Sequence, residues 1–140
     1  MPVSLTRSVR FSALHRYFRP EWPETRNREV FGACAEAPGH RHEYRCAVTI
    51  TGPVDAKTGM IVDLALLDQV LAEEVVAPFD GKHLNLDVPA FAFGATIPTG
   101  EAVAQYLFFR IAARLPRGVR LERVRVQEDP SLYAECTGQP

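Results

Sequence analysis

The chain has 140 residues, 46% apolar and 24% charged, with 16 basic side chains against 17 acidic ones and a formal net charge of −1. This length implies a single domain over 1–140 with a core of its own, and the balanced charge, with no basic stripe, excludes a nucleic-acid or polyanionic-membrane partner. The longest apolar run, "MIVDLALLDQVLAEEVVAPF" at 60–79, carries Asp63, Asp68, Glu73 and Glu74 and cannot span a bilayer.

Val3, Leu5, Val9, Phe11 and Ala13 share one parity and predict a first strand, with His15 continuing that parity at its end. Residues 16–41, rich in Pro, Arg, Glu and Gly, read as a long loop, and loops of that length are usually functional or mobile. Arginines gather between Arg7 and Arg45 but are interleaved with glutamates, which suits a local phosphate and not a duplex. A second strand follows, with His40, His42, Tyr44, Cys46, Val48 and Ile50 on one parity. "TGPVDAKTGM" reads as a turn. Asp63 then caps a helix with Leu64, Leu67, Leu71 and Val75 at helical spacing, which Pro78 ends. "FDGKHLNLDVPAFAFGATIPTG" reads as irregular. A second helix starts near Thr99, with Glu101 in its first turn and Val103, Leu107 and Ile111 as its stripe, and ends at "PRG" 116–118. Two last strands, "VRLERVRVQE" and "SLYAECTG", complete an antiparallel sheet covered on one side. That is α+β.

Residues i and i+2 of a strand face the same way, so His40 and His42 can grip one ion from one side. His15, on the core-facing parity of the first strand, is the natural third ligand if the two strands pair. Three imidazoles with an open position describe a catalytic zinc; two solvated histidines at a strand's mouth are the plainer alternative. Cys46 and Cys136 read as small buried hydrophobes. Cys34 differs because it sits in the polar loop, near that ion and several arginines, where thiolate is favoured. The low, odd cysteine count and an N-terminus without a signal-peptide core indicate reduced thiols and a cytoplasmic protein. Glu128 shares its parity with Val124 and Val126, so it either frays at the strand end or is held by a donor pair; spacing alone favours the frayed end.

Six segments occur in order: "FSALH" at 11–15, "FGACAEAPGHRHEY" at 31–44, "GMIVDLALL" at 59–67, "FDGKHLNLDVP" at 79–89, "PTGEAVAQYL" at 98–107 and "VRVQED" at 124–129. Together they resemble the 6-pyruvoyl-tetrahydropterin synthases and the related 6-carboxy-tetrahydropterin synthases. The resemblance implies a tunnelling (T) fold, a four-stranded antiparallel sheet with two helices on one face, assembled as a homohexamer with interfacial active sites. It implies zinc on His15, His40 and His42, Cys34 as catalytic thiol, and Asp80 in an Asp-His proton relay. It also implies Glu128 as the anchor of the pterin's N–H edge, with Thr99 and Glu101 lining the pocket. The implied activity is that of a carbon–oxygen lyase, which turns 7,8-dihydroneopterin triphosphate into 6-pyruvoyl-tetrahydropterin with loss of triphosphate and needs no redox cofactor. Arginines of 7–45 or Lys82 would receive the triphosphate.

The five residues between Cys34 and His40 match the pyruvoyl-forming branch; its queuosine-pathway relatives are shorter there. Two departures stand out. Arg41 replaces the glycine of His-Gly-His, pointing away from the metal. Gly81 replaces the relay histidine after Asp80, and His83, two residues on, is the candidate substitute. The missing histidine keeps two alternatives open: a family member acting on another pterin, by carboxy-product formation or side-chain aldol cleavage, or a pterin-binding protein without this chemistry.

Overall fold

A computed structural model describes residues 2–138. Strands β1 (Ser4–His15) and β2 (His40–Thr51) pair antiparallel over their full length, with Ser4 opposite Thr51 and His15 opposite His40. The other edge of β2 pairs with β4 (Arg120–Asp129), which pairs with β5 (Leu132–Cys136). These are the four antiparallel strands expected from parity. A fifth, β3, is a two-residue strand, Lys82–His83, running parallel to β1 against Ala13 and Leu14. It lies within the segment read as irregular, and two residues are too few to show alternation.

Phe11, Ala13, Tyr44, Cys46, Val48, Ile50, Val124 and Val126 are buried on one face of this sheet. Two helices cover it. The first, α2 (Leu64–Leu71), begins where the Asp63 carboxylate accepts the Ala65 N–H at 3.0 Å. Its inward face is Leu67, Val70 and Leu71, continued by Val75 just beyond it, whereas Leu64 is exposed. Pro78 does not end the helix. A π turn at Ala72–Val76 leads into a final helical turn, Ala77–Phe79, and this wider turn accommodates a proline that has no N–H to give. Gly81 closes the helix at φ 73°, in the left-handed conformation that suits glycine after a helix end. The short turn α3 (Leu84–Asp87) follows.

The second covering helix, α4 (Gly100–Ala112), is capped by Thr99, whose hydroxyl accepts the Ala102 N–H at 3.1 Å. Val103, Leu107 and Ile111 are buried as their spacing predicts. The helix stops at Ala112, before the "PRG" expected to end it.

The segment 16–41 is not a continuous loop. It holds α1 (Glu24–Phe31) and a 3₁₀ turn at Gly32–Ala35. Of α1 only Asn27 is buried, so the helix has no apolar stripe for a periodicity argument to find. The Asn27 side chain fixes the approach to α1: its Oδ1 accepts the Arg19 N–H at 2.7 Å and its amide donates to the Arg19 carbonyl at 3.0 Å. No helix among the described residues is long and apolar enough to cross a membrane.

Candidate active site

The end of the β1–β2 ladder gathers the histidines. His15 is 1% exposed and its ring lies 4.7 Å from that of His42, centroid to centroid. Tyr44, four positions from His40 on the same face of β2, places its hydroxyl 2.7 Å from His15 Nδ1. Nε2 of His15 is sealed from solvent and has no partner among the described residues. With the ring proton on Nδ1 and donated to Tyr44, Nε2 presents a lone pair. That is how a ligand histidine is oriented from behind. Burial, and then the nearby charges of His42, His40 and His83, lower the His15 pKa to about 3, so the ring is neutral at ordinary pH.

Ligand atoms of His15, His42 and Glu128 lie within 4.8 Å of one another. His40 is half-buried outside this trio, its ring 6.4 Å from that of His42. Of the three inferred ligands His15, His40 and His42, the first and last are therefore together, with the Glu128 carboxylate beside them and His40 outside the cluster. An unpartnered, buried imidazole nitrogen facing a second imidazole fits a borderline-soft divalent cation such as zinc.

Glu128 is buried, and the frayed-end reading that spacing favoured does not hold. It lies past the last β2–β4 pair and at a register shift between β4 and β5, so its side chain departs from the ladder without leaving the core face. Tyr17 donates its hydroxyl to Oε1 at 3.4 Å, and the Gly100 N–H also bonds the carboxylate. A Cβ at Gly100 would stand 3.1 Å from Oε1, so a small residue there makes room for the carboxylate. Burial raises the Glu128 pKa, against the opposing pull of His42. An open cleft of about 340 Å³ leads away between Glu128, Gly100, Glu101, Leu132 and Tyr133. Glu101 is exposed on its wall; the Thr99 hydroxyl is occupied in capping α4.

Cys34 is half-buried in the 3₁₀ turn, where its carbonyl accepts the Tyr17 N–H at 2.9 Å. Its thiol is close enough to Glu128, Tyr17 and Tyr44 for their charges to be felt. Burial, and then Glu128, raise its pKa, whereas the arginines expected to favour thiolate exert no such pull. Tyr17 carries no sequence signal, because it lies in the loop just past β1. Its ring covers His15 at 4.5 Å, its hydroxyl meets Glu128 and its N–H meets the Cys34 turn. Tyr44 could have been found, since its parity with His42 aims it at the same place.

Asp80 and His83 make no hydrogen bond to this constellation among the described residues, although His83 is near enough for its charge to be felt at His15. Asp80 is exposed, and its Oδ1 accepts the Ser12 N–H at 2.9 Å. Ser12 is three residues from His15, about 10 Å along an extended strand. His83 places Nε2 2.7 Å from the Pro38 carbonyl, and no bond joins it to Asp80 among the described residues.

Residues 4–139 match the family model for 6-pyruvoyl tetrahydropterin synthase. This chain belongs to that family. A 6-pyruvoyl tetrahydrobiopterin synthase of Homo sapiens is 38% identical over 137 residues, covering 98% of this chain and 92% of the relative. The Drosophila melanogaster protein of the same name is 36% identical, covering 98% and 81%. The solved structure of the Caenorhabditis elegans 6-pyruvoyl tetrahydropterin synthase superposes with a TM-score of 0.91 at 31% identity, over 99% of this chain and 97% of that one. The Plasmodium vivax enzyme structure, at 13% identity and a TM-score of 0.69, shares the fold. The β1-β2-β4-β5 sheet with helices on one face is thus the T fold of 6-pyruvoyl tetrahydropterin synthases, with β3 added beside β1.

Proposed function

We propose that this protein is a zinc-dependent lyase of the cytoplasm that converts 7,8-dihydroneopterin triphosphate to 6-pyruvoyl-tetrahydropterin with loss of triphosphate. One observation carries the reading: a buried His15, held from behind by Tyr44, presents an unpartnered Nε2 beside His42 and Glu128, with Cys34 in the adjoining turn. His15, His42 and His40 would hold the ion. His40 serves as third ligand because it shares the face of His42 and is the cross-strand partner of His15. Glu128 is reserved for the substrate. Zinc bound there would supply a Lewis acid for the oxygens of the substrate side chain.

The chain's own groups then have distinct tasks. Glu128 receives the paired N–H donors of the pterin's 2-amino-pyrimidinone edge, which suit two carboxylate oxygens. Tyr17 and the Gly100 N–H orient that carboxylate. Cys34 takes a proton from the side-chain carbon. Burial raises its pKa, so it is a thiol until a nearby positive charge favours the thiolate. Asp80, whose carboxylate meets Ser12 and not the His15–His42 pair, serves at an interfacial site, beside Cys34 of a second copy. The assembly this calls for is the homohexamer that the resemblance implies. The arginines of 7–45 and Lys82 are the candidate triphosphate contacts, of which Arg7 is already paired with Asp68 at 2.8 Å.

Gly81, standing where relatives carry a relay histidine, supports a second reading, in which the natural substrate is another pterin of the same class. Incubating the zinc-loaded protein with dihydroneopterin triphosphate and identifying products by mass separates these readings. The pyruvoyl product is expected. Release of acetaldehyde or glycolaldehyde, or a carboxy product, transfers the protein to the second reading, and bound but unchanged pterin makes it a binding protein.

A further inference from the structure

The short stretch between Cys34 and His40 carries the proposed thiol and leads into the proposed ligands. Three of its carbonyls are taken by donors from neighbouring elements. Cys34 O accepts the Tyr17 N–H at 2.9 Å, Ala35 O accepts Arg16 Nε–H at 2.7 Å, and Pro38 O lies 2.7 Å from His83 Nε2. The first two donors belong to the chain just past β1. The third comes across from β3. Gly39 completes the seat: at φ 113° it lies so close to β1 that a Cβ there would collide with the His15 carbonyl.

A carbonyl can only accept, so His83 Nε2 carries the proton of this bond. Nδ1 is sealed from solvent and has no partner among the described residues. The root of the side chain is fixed as well. His83 pairs with Leu14 in the parallel ladder, and its N–H donates to Asp87 Oδ2 at 2.8 Å. A relay histidine needs a nitrogen that exchanges protons with its carboxylate. Asp80 instead accepts the Ser12 N–H, while the His83 ring is committed to Pro38.

We propose that His83 is a positioning residue that clasps the Cys34–His40 loop onto β3 through Pro38 and takes no part in a proton relay. Its effect on turnover rests on the pterin-lyase reading; the clasp itself does not. The full-length protein is compared with His83→Ala and His83→Gln by hydrogen exchange of peptide 34–40 and by kcat against pH with dihydroneopterin triphosphate. Glutamine can donate an amide N–H to Pro38 but cannot shuttle a proton. His83→Ala should speed exchange of that peptide about tenfold and lower kcat about 10–100-fold through misplacement of the thiol. His83→Gln should return both toward the parent values with an unchanged pH profile.

Unaltered exchange in His83→Ala overturns the clasp. A His83→Gln protein with parental exchange that is as inactive as His83→Ala, or has lost a limb of the pH profile, overturns the other half of the proposal and makes His83 a relay. Should His83→Ala fail to fold, the exchange and pH profile of His83→Gln decide alone. If the parent protein does not turn over dihydroneopterin triphosphate, the lyase reading fails by itself, and the exchange comparison still decides the clasp.

Discussion

His15 and Cys34 both lie where Tyr17 meets them, one under its ring and the other bonded to its N–H, yet burial shifts their pKa values in opposite directions. It keeps His15 neutral, ready to accept a cation without first losing a proton, and it keeps Cys34 protonated until a cation arrives. Alkylation of Cys34 in chelator should therefore titrate above the free-thiol range and shift to lower pH when zinc is added. A midpoint that ignores zinc would separate the thiol from the ion. Cys34→Ala should lower turnover about 10²–10⁴-fold with zinc content intact; loss of zinc as well would make Cys34 a ligand. His15 also predicts a pH effect on stability. The unfolded ring takes a proton near 6.5 and the folded one only near 3. Its contribution is complete above about pH 6.5 and is lost as pH falls toward 3, at no more than about 1.4 kcal/mol per pH unit. Glu128, raised by burial, has the opposite sign and is common to parent and variant. In chelator, denaturant titrations of the parent and of His15→Gln, which cannot titrate, should differ in slope across that window. Parallel slopes would mean the folded ring is not held neutral.

Two glycines set how the elements meet. Gly39 lets the Cys34 loop press on the last residue of β1, where a methyl group would strike the His15 carbonyl. Gly39→Ala should cost about 1–3 kcal/mol or more, as a non-glycine residue forced into sparse backbone space does, and should weaken metal binding because His15 must move. An alanine variant with parental stability and metal affinity would refute this. Gly81, where the resemblance implies a relay histidine, follows the final helical turn Ala77–Phe79 at φ 73°, and the space around its absent Cβ is open. Gly81→His should fold, with a loss of about 1–2 kcal/mol for the left-handed conformation, and should raise turnover if the relay limits the pyruvoyl-forming reaction. Turnover left unchanged would favour another pterin as substrate.

At the scale of the molecule, the sheet has open edges among the described residues at β5 and along most of β1, since β3 covers only Ala13 and Leu14. Leu132, Tyr133 and Phe109 lie exposed near the β5 side, at 53%, 50% and 77%. Open strand edges flanked by apolar side chains favour pairing with further chains. Sedimentation of the protein should give a particle of six chains, and Tyr133→Asp should dissociate it and lower turnover together. A monomer with full activity would exclude an interfacial site and, with it, the role proposed for Asp80.

Strand parity and helix caps were legible without coordinates: His15 opposite the His40–His42 strand, Asp63 and Thr99 at their helix starts, and the stripe Val103, Leu107, Ile111. Each depends on a local period or a contact between near neighbours in the chain, which the order of residues by itself determines. Helix α1 was not legible, because it buries only Asn27 and has no apolar period. Nor was the π turn ahead of Pro78, a backbone adjustment with no residue signature. Glu128 shows the division most clearly. Its parity with Val124 and Val126 gave its face, but whether a carboxylate there frays or is held depends on Tyr17 and Gly100, distant in sequence, arriving with donors. The same holds for His83, whose ring is assigned by the Pro38 carbonyl 45 residues away. Such long-range donor–acceptor matches exist only once the sheet has closed, and the tertiary structure alone decided them.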